Sequence, residues 1–527
     1  MKQGVPQILP SSTTAPAIQP STELASLASG GSAILVASVF GNGISYLFSI
    51  ELARLLGPGD YGVYALGLTL FNVLVLLTSQ SVGTAGIRYV SQALGLDQVH
   101  QVRTTILATL LLTVVGSCIS ASSLLLLSKR VALSVYAQPE LAPVLTIFAL
   151  AIPLASTSYV LVSILQAFQS LKYTTLVRYL WEPVGKTCLG LSLFMLGFGL
   201  EGVVTGIVIT FVIAVLIGGQ ALRRQWKLLP QASNELAIID VVKVTRFCGP
   251  LLVSNIFGVI APRSDILILG YWASSYETGV YQSALQTAGV IALVLGAFET
   301  ALAPSIARVL AQKHLGRLCD LYQSGARLVF ALTIPLFVLI SLFAEEILGM
   351  FGSGFSVGAA CLIVLSVGHL VNSAASSPNH VLLMDGRSRI VMANTIIVGL
   401  IQVAAISVLA PFWGMIGVAF ATASGLVTLA ALRIVQVWRI YRIQPFTWDL
   451  FKPLCCGALT ITVVSVMRVQ FVEIPIAVLV LLSMTLYIGL LVIAGVASSD
   501  RAILQSVAQR LGVLRVFNGI LEFTKHP

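Results

Sequence analysis

Uncharged, apolar stretches recur along the whole chain, separated by short polar connections. They cover residues 24–50, 61–87, 104–128, 141–171, 202–222, 278–298, 328–344, 347–384 (two histidines aside), 390–432 and 474–499. Crossing the hydrocarbon of a bilayer takes about 20 helical residues, so each of these runs is a candidate span. Residues 390–432 are too long for one helix, and Pro411-Phe412-Trp413-Gly414 supplies a turn that divides them. Two further spans carry charge, one at 174–196 with Glu182 and Lys186 and one at 247–271 with Arg263 and Asp265. The short run 453–467 completes the set. The pattern predicts an all-α polytopic membrane protein of about fourteen transmembrane helices.

Composition agrees and limits what else the chain contains. Of 527 residues, 57% are hydrophobic and 9% charged, with mean hydropathy +0.97. A water-facing surface would need about 25% charged residues. Fourteen spans consume roughly 280 residues, which leaves no room for a nucleotide-hydrolysing or large extracytoplasmic catalytic domain. The seven cysteines include no C-x-x-C, and no His/Cys cluster has zinc spacing. Cys455–Cys456 reads as two small apolar residues. No cofactor motif survives inspection. Gly197-x-Gly199-x-x-Gly202 matches the dinucleotide fingerprint only in letters, because no βαβ unit surrounds it.

Charge sets the expected orientation. With the N-terminus inside, outward connections hold Arg54, Lys129, Arg130 and Arg468, and Arg263 lies within a span. The other 25 of the 30 Lys and Arg, Lys186 included, fall inward, so both termini are expected in the cytoplasm. Trp226, Trp272, Trp413, Trp438 and Trp448 sit at span ends, as an aromatic belt requires. The expected organisation is a disordered tail at 1–28, a six-helix bundle at 29–222, a cytoplasmic linker at 223–245 and a second six-helix bundle at 246–432. Two added helices follow at 433–498, then a cytoplasmic amphipathic helix and tail at 499–527.

The two bundles are read from an internal repeat. Val39-Phe40-Gly41 echoes Ile256-Phe257-Gly258, and Gly62-Val63-Tyr64 echoes Gly279-Val280-Tyr281 at the same offset. Ile87-Arg88…Gln92 matches Ala307-Arg308…Gln312, and Phe198-Gly199-x-x-Gly202 matches Trp413-Gly414-x-x-Gly417 at nearly that offset. Six spans per half is an even number, so both halves enter the membrane in the same sense. Their symmetry axis then runs along the membrane normal, with a central cavity between the bundles.

The stretch Leu52-Ala53-Arg54-Leu55-Leu56-Gly57-Pro58-Gly59-Asp60-Tyr61-Gly62-Val63-Tyr64 resembles the signature of the polysaccharide transporter family. These are lipid-linked oligosaccharide (O-antigen-type) flippases of the multidrug/oligosaccharidyl-lipid/polysaccharide (MOP) superfamily. Gly386-Arg387-Ser388-Arg389 and Ala410-Pro411-Phe412-Trp413-Gly414-Met415-Ile416-Gly417-Val418-Ala419 resemble two further family motifs. The resemblance covers about residues 30–500 and implies a flippase of the inner cell membrane. Its implied substrate is an undecaprenyl-diphosphate oligosaccharide used for surface polysaccharide. Implied partners are membrane lipids, a coupling H+ or Na+, and polysaccharide polymerase machinery. A cation-coupled drug or metabolite exporter of the same superfamily is the alternative, and a glycan polymerase or ligase the enzyme alternative.

Charged residues inside spans are the candidate cavity. Burying an Arg at mid-span costs about 2.5–3.5 kcal/mol. Arg263 therefore either grips an anionic headgroup in a wet cavity or locks an internal ion pair; Pro262 before it kinks the helix. Asp265, at i+2, is off that face and reads as an orienting or ion-coupling residue. Glu182 and Lys186, at i,i+4, form a helical pair deep enough to line the cavity. Arg88 and Arg308 occupy matching places at inward span ends, as positive-inside anchors or as a phosphate-receiving pair. His369, Asn372 and His380 follow helical spacing and either line the cavity or bond neighbouring helices. Glu299 reads as a boundary residue. No metal site and no nucleic-acid surface are expected.

Overall fold

The computed structural model describes residues 20–229, 238–375, 378–471 and 474–494. The chain before residue 20, residues 230–237 of the linker and the amphipathic segment at 499–527 lie outside the described residues. Those described are helical nearly throughout, with no strand among them.

Among the described residues ten helices are long and apolar enough to cross a membrane, and one bent pair makes an eleventh span. Three of the ten, at 36–95, 172–228 and 388–441, run for 60, 57 and 54 residues. At about 1.5 Å per residue even the shortest would reach roughly 80 Å, far beyond one bilayer. Each is divided where glycine takes a positive φ that breaks the helix: Gly57 at 74°, Gly197 at 93° with Gly199 at 56°, and Gly414 at 53°. Divided there, the spans among the described residues number the expected fourteen.

The first bundle comprises α1 (residues 20–56), α2 (58–95), α3 (Val99–Arg130), α4 (Leu141–Ala167), α5 (171–193) and α6 (Gly199–Leu228). The second comprises α7 (238–272), α8 (Ser275–Ala311), α9 (Leu315–Gly349), α10 (Ala359–Ala374, continued by Pro378–Met384), α11 (388–413) and α12 (415–441). α13 (Trp448–Gln470) lies on α9, and α14 (Ile476–Ala494) lies on α13. The Tyr487 hydroxyl of α14 donates to the Ala331 carbonyl of α9 at 2.9 Å. One boundary differs from expectation. The apolar run 347–384 begins in α9, turns through Gly352 and Gly354, and ends in α10. Hydropathy hides this turn because its side chains are apolar, Phe351 and Phe355 being fully buried.

The repeat is visible in the backbone. Gly199 (φ 56°, ψ −144°) and Gly414 (φ 53°, ψ −137°) adopt one conformation at matching positions. Gly62 and Gly279, also repeat partners, pack on each other's helices. A Cβ on Gly62 would lie 1.8 Å from the Ser275 carbonyl oxygen, and one on Gly279 would lie 2.1 Å from that of Pro58. The membrane face carrying the Gly57, Gly199 and Gly414 breaks is termed distal, and the face carrying Arg88, Arg308 and Arg439 basic.

The bundles are closed on each other distally. Around the paired glycines, Arg54 of the first bundle donates to the Met350 carbonyl of the second, while within the second bundle the Tyr276 hydroxyl braces the turn after α9 by donating to the Gly354 carbonyl at 2.8 Å. Deeper, the Gln286 amide donates to the Ser49 hydroxyl at 2.9 Å, and the Tyr46 and Thr287 hydroxyls meet at 3.0 Å. The rings of Tyr61 and Phe355 pack edge-on at 5.9 Å. The stretch Leu52–Tyr64 thus builds this seal, with Leu52, Ala53 and Tyr61 buried beneath it.

Overpacking a tight contact costs typically 1–3 kcal/mol, enough to hold the seal open. Spin labels at Asp60 and Val357 should therefore separate in Gly62→Val. They should not separate in Gly43→Val, where a Cβ meets nothing within 4 Å. An unchanged distance in Gly62→Val would refute the seal.

Candidate functional site

Below the seal, at mid-membrane, lies a cavity of about 200 Å³. Its walls are Phe71, Asn72, Val75 and Leu76 of α2, Ala155, Tyr159 and Val162 of α4, Arg178, Glu182 and Lys186 of α5, Phe211 of α6, and Arg263 of α7. Four walls come from the first bundle, and Arg263 reaches in from the second.

α5 carries most of the charge. Residues 175–181 form a π-helical turn, a rare geometry that recurs at functional sites because it re-aims side chains. Arg178, Glu182 and Lys186 follow at four-residue intervals and face the cavity. Lys186 Nζ stands 4.0 Å from Glu182 Oε2, and both side chains keep 20–30% of their surface exposed. Aromatic faces take up the cations. Lys186 lies 5.0 Å from the Phe211 ring centre, and Arg178 lies 4.4 Å from that of Tyr159. The α5 pair is thus at once the expected helical pair and part of the cavity lining.

Arg263 and Asp265 are separated by a break in α7. The helix ends at Ile260, a 3₁₀ turn spans Ala261–Arg263, and a new helix starts at Ser264. Arg263 is half-buried and donates to the Val259 carbonyl at 3.4 Å. It forms no ion pair among the described residues. Asp265 turns the other way and is fully buried. Its carboxylate accepts from the Ile266 amide at 2.8 Å and the Tyr281 hydroxyl at 3.1 Å, and that hydroxyl lies 3.3 Å from the Thr422 hydroxyl. It therefore orients α7 against α8 and α12 and does not line the cavity.

The remaining expected residues lie elsewhere. Arg88 and Arg308 are exposed in two separate clefts at the basic face, one with Lys243 and the other with Arg317. Neither cleft is the cavity, because the spans continue well past mid-membrane before reaching them. His369 and Asn372 are half-buried on α10 and do not line the cavity; the His369 carbonyl accepts from Ser373 at 2.9 Å. Glu299, expected at a span boundary, faces His380 across helices, its Oε1 3.5 Å from Nδ1. Sequence reading missed Arg178 and Asn72. The signal for Arg178 was its place four residues before Glu182 on the same face. Among the described residues no cluster of His, Cys, Asp or Glu could hold a metal ion.

Comparison with known proteins adds the family. Residues 27–310 match the polysaccharide biosynthesis protein family, more than half of the chain. The chain belongs to that family. Residues 250–403 also match the MatE family. A curated relative is the probable low-salt glycan biosynthesis flippase Agl15 of Haloferax volcanii, 22% identical over 74% of this chain and 79% of that one. Among solved structures, the lipid II flippase MurJ in its inward closed conformation superposes with TM-score 0.69 at 14% identity, covering 87% of this chain and 97% of that one. An inward-facing multidrug resistance transporter of the MATE family and MOP superfamily superposes with TM-score 0.63 at 14% identity, covering 76% and 94%. The polysaccharide biosynthesis family member described here therefore has the MOP fold.

The two charges of α7 should behave differently on mutation. Asp265→Ala leaves the buried Tyr281 hydroxyl without its carboxylate and should cost about 1–3 kcal/mol, read as a lower melting temperature in detergent. Arg263→Ala removes no ion pair and should melt within a degree or two of the native protein. The reverse order of stabilities would show that Arg263, not Asp265, holds the fold.

Proposed function

We propose that this protein is a flippase for a lipid-linked oligosaccharide carried on an undecaprenyl-diphosphate-type anchor, used to build surface polysaccharide. Its cavity carries the reading: three cations, Arg178, Lys186 and Arg263, face one carboxylate, Glu182, in a water-accessible pocket. A diphosphate needs such a site, since guanidinium groups bind phosphate oxygens bidentately and aromatic faces hold cations without neutralising them. Family membership and the glycan and lipid II flippase relatives support the same substrate class.

The mechanism is alternating access, with the bundles at 29–222 and 246–432 rocking about the axis through Gly62 and Gly279. The basic face is cytoplasmic in this reading, so the state described is closed to the outside, and both termini lie inside. Arg263 stands on the second bundle and the other charges on the first. Headgroup binding therefore pulls the bundles together and couples loading to the conformational change. The lipid tail stays in the bilayer. The drive is an ion gradient or consumption of product by polymerase machinery outside.

Deletion of the gene should accumulate the lipid-linked glycan on the inner leaflet. Complementation with Arg263→Ala should lower flipping in proteoliposomes by about 10–100-fold, the worth of a charged hydrogen bond, and Arg263→Lys should restore part of it. Full rescue by alanine would remove Arg263 from the substrate site.

A second reading, a cation-coupled exporter, has the MatE match and the multidrug transporter fold in its favour. The positive excess of the cavity opposes cationic drugs. Drug hypersensitivity of the deletion strain with normal surface glycan would favour the exporter.

A further inference from the structure

At the basic face, α2 of the first bundle and α7 of the second form a reciprocal clasp. Arg88 of α2 lies 4.8 Å from the ring centre of Phe247 on α7. Lys243 of α7 lies 4.8 Å from the ring centre of Tyr89 on α2. The two rings themselves pack edge-on at 5.5 Å. Arg246 completes an exposed cleft of about 510 Å³, lined by Arg88, Tyr89, Val242, Lys243, Arg246 and Phe247. Three cations and no carboxylate stand among those six residues.

Depth and sealing say what such a cleft takes. Arg88 follows Asp60 on α2 by about 42 Å of helix at 1.5 Å per residue, against a hydrocarbon core of about 30 Å. The cations therefore reach the headgroup layer of the basic leaflet. Above them the seam is shut. Val244 and Cys248 are buried in one core with Ala85 and Val90, and the Asn255 amide donates to the Ser81 hydroxyl at 2.9 Å.

We propose that this cleft binds the phosphate headgroup of an anionic phospholipid, which is held and not transported, and which locks α7 to α2. A phosphodiester satisfies cations from both bundles at once, while its acyl chains lie along the apolar seam above. The inference does not depend on the transport reading.

The test titrates the full chain in neutral detergent and reads binding by native mass spectrometry. The probes are phosphatidylglycerol, phosphatidylcholine, inorganic diphosphate and undecaprenyl diphosphate. Phosphatidylglycerol should bind saturably, and R88Q/K243Q/R246Q should weaken it about a hundredfold, since each basic group near a lipid surface contributes severalfold. Arg246→Gln alone, which leaves both ring contacts in place, should weaken it about fivefold. R308Q/R317Q, in the other basic cleft, should bind phosphatidylglycerol as the native protein does. Unchanged affinity in the triple variant, or equal binding of phosphatidylcholine, would overturn the proposal. Equal competition by inorganic diphosphate would mark a soluble-anion site and overturn it too. So would loss of undecaprenyl diphosphate binding in the triple variant with phosphatidylglycerol binding intact.

Discussion

Two glycines that meet across a pseudo-two-fold axis decide how the halves of this protein fit together. When a repeat's axis runs along the membrane normal, equivalent residues lie at the same depth, and those nearest the axis must contact each other's helices. Gly62 and Gly279 occupy that place, each against the backbone of the opposite helix. Any side chain there would hold α2 and α8 apart. The hydrogen bonds of Arg54, Gln286 and Tyr46 between the bundles form only because the backbones come this close. Closure of one face and survival of a cavity beneath it follow from that single approach.

The membrane imposes the second constraint, that an ionised group needs water or partners. The chain meets it in two ways within three residues. Asp265 is buried and satisfied by an amide and a hydroxyl, so it serves the fold. Arg263 keeps only a weak carbonyl contact and opens onto the cavity. The helix break at Ala261–Arg263 turns them in opposite directions. A continuous helix would have set them about 200° apart in any case, at 3.6 residues per turn, and the break also places each at a helix end.

Much of this was legible in the sequence. Apolar runs and the Pro411–Gly414 turn gave the span count, and the repeat marked Gly62, Gly279, Gly199 and Gly414 in pairs. Hydropathy failed at residues 350–357, because an uncharged turn between α9 and α10 looks like more membrane. The charged candidates divided less cleanly. Arg263, Glu182 and Lys186 converge on the cavity, and Arg178, four residues before Glu182, joins them from a π-turn. Arg88 and Arg308 occupy matching sequence positions yet sit in differently built clefts, the first lined by α7 and the second by α9.

What the sequence alone determined is whatever depends on local pattern: that the chain is a multi-pass membrane protein, about how many spans it has, and which glycines break or pair its helices. Periodicity, turn residues and the cost of charge in hydrocarbon act within one or two turns, so they can be read one segment at a time. Only the tertiary structure decided which charges share a pocket and which face is shut. Those depend on the rotation of each helix about its axis and on contacts between residues some two hundred positions apart, which no local pattern encodes.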